Sequence, residues 1–311
     1  MFKRIFILCC ALTLFTSLSQ RLNACSVCGC GDPLQSTGTV HSMAGSFHSG
    51  LETLYLTASA QSDDNPAQTE SLTQKTLSGI LSFSPTDNLT LVAIVPFTEK
   101  DWTLSAATDG SEEGAAANPI GFGDINFGLR YFFVVDMDMR RGGGSQNFAI
   151  SAGTLIPTGN EDAVDSSGER FDQHAQLGTG AWGPYFGLLY TGIVNDWTFS
   201  ANLNVMLHTV NAYQYHFGTA LTGGAQAQVH LDDSFALSLA AEGRIADQDL
   251  SDGESQGNTG GTVVDLTPGL WWSPVDSWGL YGKIQIPVLT GLDGTQTVGA
   301  TAILGTQIFI N

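Results

Sequence analysis

The sequence predicts an all-β fold, a transmembrane antiparallel β-barrel of twelve strands, and three observations carry that expectation. The first is a face pattern. In Gly121 to Phe133, GFGDINFGLRYFF, the residues Ile125, Phe127, Leu129, Tyr131 and Phe133 share one parity, while Asp124, Asn126, Gly128 and Arg130 share the other. Period-2 alternation is the signature of a strand. Its length is that of a strand of ~9–11 residues tilted through a bilayer, apolar toward lipid and polar toward a lumen. The second is an export signal at the N-terminus, after which no stretch approaches the ~18 consecutive apolar residues of a membrane helix, so strands are the remaining way across. The third is an alternation of short turns with long polar loops.

Residues 1–24 read as the signal peptide: Lys3 and Arg4, an apolar run from Ile5 to Leu18, then a polar stretch ending at Ala24. They hold three of the 11 Lys and Arg and none of the 30 Asp and Glu, leaving 8 against 30 and a net charge of −22. That balance excludes nucleic acid as a partner. Only 13% of residues are charged and 37 are Gly, a mix that suits a barrel with acidic loops better than a disordered chain. The division expected is a Cys-rich exported segment over 25–45 and the barrel over 46–311.

Strands are expected near 46–61, 71–84, 89–99, 119–134, 147–157, 175–193, 197–209, 214–231, 235–247, 261–273, 278–289 and 297–310. The first alternates poorly. Trp197–His208 alternates cleanly, with Trp197, Phe199, Leu203 and Leu207 opposing Thr198, Asn202, Asn204 and His208. Phe235–Ala246 repeats the pattern, setting Leu237, Leu239 and Ile245 against Ser238, Glu242 and Arg244. Turn residues at Pro85–Asn88, Val194–Asp196, Asp232–Ser234 and Ser273–Ser277 mark tight connections at one end, with a longer one near Asp136–Gln146. Polar, mostly acidic segments around Asp63–Glu70, Lys100–Pro119, Gly159–His174 and Gln248–Gly260 mark loops at the other. Phe83, Phe133, Phe148, Tyr190, Trp197, Phe235, Trp272 and Trp278 fall beside the tight turns, as an aromatic girdle at the periplasmic interface would. Both termini are then periplasmic and the protein lies in a bacterial outer membrane.

Several motifs add to this reading: IVPF at Ile94–Phe97, GFGDINFGLRYFF, AGTLIPTGN at Ala152–Asn160, QLGTGAW at Gln176–Trp182, LTPGLWW at Leu266–Trp272 and LYGKIQIPVLTG at Leu280–Gly291. In content and order the chain resembles the outer-membrane transporter-like family named after the meta pathway of phenol degradation. The resemblance implies a barrel proposed to pass small molecules. It implies neither an enzyme of phenol breakdown nor a particular substrate.

The lumen candidates are Asp124, Arg130, Glu242, Arg244, Asp265 and Lys283, each on the polar parity of its strand. Arg or Lys facing lipid near the midplane would cost ~2–4 kcal/mol, so these charges are expected inside, either as a selective constriction or as an interior ion-pair network. Cys25, Cys28 and Cys30, in CSVCGC, are the only cysteines after the leader. Three readings stand for them: a disulfide in a segment that plugs or underlies the lumen, acylation of Cys25, or soft ligation of Cu or Zn helped by His41, Met43 and His48. No other cofactor is expected. An outer-membrane lipase, which would need a Ser beside a His, is disfavoured because His208 lies on the lumen parity without a recognisable Ser motif. The acidic loop segments read as solvated charge, with bridging to lipopolysaccharide through divalent ions as the alternative, and neither has the spacing of an EF-hand. The function expected is passive passage of a small-molecule solute across a lipid outer membrane. The rival is a non-conducting barrel that anchors a partner or metal at its Cys-rich terminus.

Overall fold

The computed structural model describes residues 44–61, 68–106, 116–136, 144–164, 168 and 170–310. The leader and Cys25, Cys28 and Cys30 lie outside them. The twelve barrel strands are β1 (Phe47–Gln61), β2 (Gln68–Thr86), β3 (Leu89–Ala106), β4 (Ile125–Asp136), β5 (Ser145–Ile156), β6 (Gly183–Val194), β7 (Trp197–Met206), β8 (Ala220–His230), β9 (Phe235–Ala246), β10 (Gly261–Val275), β11 (Trp278–Leu292) and β12 (Thr301–Ile310). Each pairs antiparallel with its neighbours in sequence, and β12 pairs with β1 from Phe47↔Ile310 to Tyr55↔Ala302, which closes the barrel.

The alternation that the sequence carries is the alternation of surroundings. On β7, Leu203 is 48% exposed on the outside while Asn204 is 6% exposed on the inside. On β4, Phe127, Leu129, Tyr131 and Phe133 are exposed and Asn126, Arg130 and Phe132 are buried. Even β1 obeys it: Leu51 and Tyr55 are exposed and Glu52, Ala58 and Ala60 are buried. Its poor pattern arises because Thr and Ser share its outer face with those apolar residues. Near the tight turns Phe83, Phe133, Phe148, Trp197 and Phe235 are exposed, and Phe235 stacks on Trp272 at 6.2 Å between ring centroids.

Local chemistry sets the turns. Asn195, between β6 and β7, takes the left-handed conformation (φ 51°) that tight hairpins use and Asn tolerates. Between β8 and β9 the Asp232 carboxylate accepts from the backbone N–H of Ser234 (2.7 Å) and Phe235 (2.8 Å), mimicking a backbone turn.

Three expected boundaries shift at the loop end. β3 runs on to Ala106, so Lys100 is a strand residue rather than a loop residue. On the outer face of β2 and β3 the apolar series ends at Leu77 and Phe97, and Lys75 pairs above them with Glu99 (3.0 Å) and Asp101 (3.6 Å), so both strands stand clear of hydrocarbon there. β6 begins at Gly183, not at 175, and β8 at Ala220, not at 214. The residues before them turn inward instead. Ala175, Ala181, Tyr215 and Phe217 are buried among the loops, an environment that local periodicity does not distinguish from a strand interior.

The inner face is also less polar than expected. Ile80, Val92, Ile94 and Tyr185 form one buried cluster, and Phe132, Ala149 and Leu189 another. In a barrel of this strand number, side chains fill much of the interior. Tyr185 lies flat over two wall glycines: a Cβ on Gly128 or Gly153 would fall 2.0 or 2.2 Å from its hydroxyl. That hydroxyl donates to Asn126 Oδ1 at 3.1 Å.

Leu203→Arg puts a charge into hydrocarbon, at an expected cost of ~2–4 kcal/mol, whereas Asn202→Arg directs it into the lumen. The expected outcome is loss of the heat-modifiable folded band on electrophoresis for Leu203→Arg and its retention for Asn202→Arg.

Candidate functional site

Two places in the fold gather polar side chains, the lumen wall and the mouth at the long-loop end. On the wall, cross-strand register builds a rib from Arg130 through Ser151, Gly187, Asn204 and Thr222 to Arg244, across β4 to β9. Gly187 has a structural reason: a Cβ there would meet Asn204 Oδ1 at 1.9 Å and Ser151 Oγ at 2.6 Å, so its absence lets those two groups approach over the strand. No carboxylate interrupts the rib.

A second patch lies on β9 to β11. Glu242 and Asp265 are directly opposed across β9 and β10. Glu242 Oε2 accepts from Thr267 Oγ1 (2.7 Å) and Gln285 Nε2 (3.0 Å). Lys283 lies two residues before Gln285 on the same face, its ammonium 5.4 Å from the centroid of the Tyr281 ring. Tyr281 stacks on Trp271 and donates to Glu52 Oε2 at 2.6 Å, carrying the patch to β1. Glu52 had no clear parity signal in the sequence and belongs with the lumen charges.

Asp124 has a different setting. Just before β4, its Oδ1 accepts from Gly159 N–H (2.8 Å) and its Oδ2 from Thr179 N–H (2.7 Å) and Thr179 Oγ1 (2.6 Å). The carboxylate therefore holds both ends of the segment 157–182 that joins β5 to β6. The six lumen candidates do not form one ring. Glu242, Asp265 and Lys283 share a patch, Arg130 and Arg244 end the rib, and Asp124 serves the loop.

That loop crosses the mouth at the long-loop end. Its 3₁₀ turn, Gln173–Ala175, meets β3, where the 7%-exposed Lys100 donates from Nζ to the carbonyls of His174 (2.9 Å) and Gln176 (2.5 Å). Ala175, 0% exposed, packs with Leu72 of β2 and Trp102 of β3. On its other side the His174 ring contacts the hydroxyl of Tyr215 (3.0 Å) and lies 3.6 Å from Asp249 Oδ2, while Tyr215 donates to that same Oδ2 at 2.7 Å. Tyr215 belongs to the β7–β8 loop and Asp249 to the β9–β10 loop. Sequence reading missed Lys100, His174, Tyr215 and Asp249 as site residues. The recoverable signal was the even parity of Lys100 with Thr98 and Trp102.

His208 sits beneath this cluster, 8% exposed, its ring 5.5 Å from that of Phe217. Burial first, and the neighbouring Arg244 second, push its imidazole down to about 4. Among the described residues no group of three or more His, Cys, Asp or Glu is placed to hold a metal ion.

Residues 59–291 match the family described as putative MetA-pathway of phenol degradation. The fold is similar to that of an outer membrane channel from Pseudomonas putida F1, at a TM-score of 0.65 and 13% identity over 88% of this chain and 98% of that one. More distant likenesses include the transport unit of the autotransporter AIDA-I from Escherichia coli (TM-score 0.47, 9% identity, 88% and 92% covered). Another is the translocator domain of the autotransporter NalP from Neisseria meningitidis (0.44, 14%, 86% and 89%). No curated protein sequence matches the chain.

The depressed His208 pKa has a definite sign. Between its unfolded value of 6.5 and its folded value of about 4, the unfolded chain binds the extra proton, so stability present above pH 6.5 is lost as pH falls through that window. The loss is on the order of 3 kcal/mol. Thermal unfolding midpoints in detergent are expected to drop more between pH 7 and pH 4 for the native protein than for His208→Phe.

Proposed function

This chain belongs to the family described as putative MetA-pathway of phenol degradation, and on that footing we propose that it is a passive channel for small molecules in a bacterial outer membrane. In this reading residues 1–24 are removed on export, residues 25–45 lie in the periplasm with both ends of the barrel chain, and the long loops face outward. The observation that carries the reading is the polar rib between Arg130 and Arg244. It gives solutes a hydrated wall to follow, with the guanidinium groups of Arg130 and Arg244 at its two ends. Below the mouth, where Lys100 is bonded to loop carbonyls, Arg130, Arg244 and Lys283 share the wall with the carboxylates Glu52, Glu242 and Asp265, so the field nearly balances and selectivity is mild. The rib, free of carboxylate, sets its sign toward anions. Passage of a small molecule through so narrow a barrel involves no covalent step, and its rate follows from the radius and charge of the path.

The apolar clusters on the inner face favour a second reading, a non-conducting barrel that anchors a partner, or Cu or Zn, at Cys25, Cys28 and Cys30.

Planar-bilayer reversal potentials across a salt gradient separate the two. The expected result is a small conductance with mild anion preference, lowered toward neutrality by Arg130→Ala and by Arg244→Ala. Absence of conductance, or selectivity unchanged in both variants, favours the anchor. Orientation is tested by labelling intact cells: a thiol reagent that cannot cross the membrane is expected to modify Glu254→Cys and to spare Asp233→Cys.

A further inference from the structure

The described residues of segment 157–182 form a lobe on a neck. At the neck the backbones of Gly159 and Gly178 touch, so closely that a Cβ on Gly178 would lie 2.4 Å from the Gly159 carbonyl oxygen. Asp124 pins the neck from both sides. Beyond it the described residues of the lobe are tied to one another. The carbonyl of Asn160 accepts from Leu177 N–H (3.1 Å) and Gly178 N–H (2.9 Å). The buried Gln176 amide bonds both the N–H and the carbonyl of Ala163 at 2.8 and 3.1 Å. A lobe knit together by such bonds and attached through a narrow neck can move as a unit.

Its two outer contacts differ in kind. Toward β2 and β3 it is held by apolar packing of Ala175 and Phe171 on Leu72 and Trp102, together with Lys100. Toward the β7–β8 and β9–β10 loops it is held by polar and cation–π contacts: His174 with Tyr215 and Asp249, Asn211 Nδ2 with Gln173 Oε1 (3.0 Å), and Arg170 3.7 Å over the Tyr213 ring. In the twelve-strand circuit β3 and β9 lie on opposite sides, so His174 joins opposite rims of the mouth. Parting on the polar side exposes groups that water can satisfy, whereas parting on the apolar side exposes Leu72 and Trp102.

We propose that this lobe is a latch across the outer mouth, hinged at Asp124 and the Gly159–Gly178 neck, closed by His174 against Tyr215 and Asp249, and opened by release of that contact. The role in passage rests on the channel reading; the hinged release does not.

The test uses full-length protein in two measurements. Tyr215→Phe removes one hydroxyl and Asp249→Asn removes the charged acceptor, while Lys75→Met, on the outer face away from the lobe, serves as the control. Deuterium exchange of segment 210–217 and bilayer open probability are each expected to rise roughly tenfold in the first two variants and to stay unchanged in the control. Strand amides should keep their protection, which separates release from unfolding, and Tyr215→Phe keeps the test valid if Asp249→Asn fails to fold. Raised exchange with no conductance in any protein would uphold the hinged release and remove the channel reading. Conductance in all proteins with unchanged open probability, or exchange in 210–217 unchanged in Tyr215→Phe, would overturn the latch.

Discussion

Inside hydrocarbon no water is present to satisfy backbone N–H and C=O groups, and each group left unpaired costs several kcal/mol. The fold follows from that constraint. A sheet meets it only by closing, and here closure is the pairing of β1 with both β2 and β12. Because side chains alternate with a period of two, closing in one register assigns every residue to lipid or lumen at once, and a slip by one residue would send Leu203 inward and Asn204 outward. Polar residues that would be ordinary surface groups in a soluble sheet are thereby gathered on one enclosed wall. The rib from Arg130 to Arg244 is a product of register rather than of any local motif.

Above the membrane a different constraint operates. The loops are in water, so their conformation depends on specific contacts, and the one that organises them is the Asp124 carboxylate. It draws together three separate stretches: its own GFGD turn, the PTG strand end at Gly159 and the GTG segment at Thr179. Glycine at 159 and 178 is what permits the backbones to meet there. Once the neck is tied, His174 to Gln176 project across the mouth and reach Lys100 on one side and Asp249 on the other. A contact among loops that are far apart in sequence thus spans the mouth.

The interior shows why strand number alone does not describe a channel. Twelve strands leave room for side chains to touch, and large ones lie along the wall over glycines, Tyr185 over Gly128 and Gly153 and Tyr281 over Gly305. Laid flat, each ring occupies less of the lumen than it would standing upright, and its hydroxyl finds an acceptor on a strand farther round, Asn126 for Tyr185 and Glu52 for Tyr281. Aromatic bulk and polar wall groups share the interior because wall glycines receive the rings.

The sequence by itself determined the fold class, the number of strands and the inward parity of Arg130, Glu242, Arg244, Asp265 and Lys283. All of these depend on a period-2 pattern and on turn residues such as Asn195 and Asp232, which are local properties. It also located the motifs that meet at Asp124, without showing that they meet. The tertiary structure decided the rest. Residues 175–182 and 214–219 carry enough apolar side chains to extend their strands, yet they fold into the mouth because Ala175, Tyr215 and Phe217 find better burial among loops. Lys100 reads as a loop charge until β3 is seen to continue beneath the 3₁₀ turn. His174 and Asp249 lie 75 residues apart along the chain, and only closure of the barrel, which brings opposite rims within reach of one lobe, makes them neighbours.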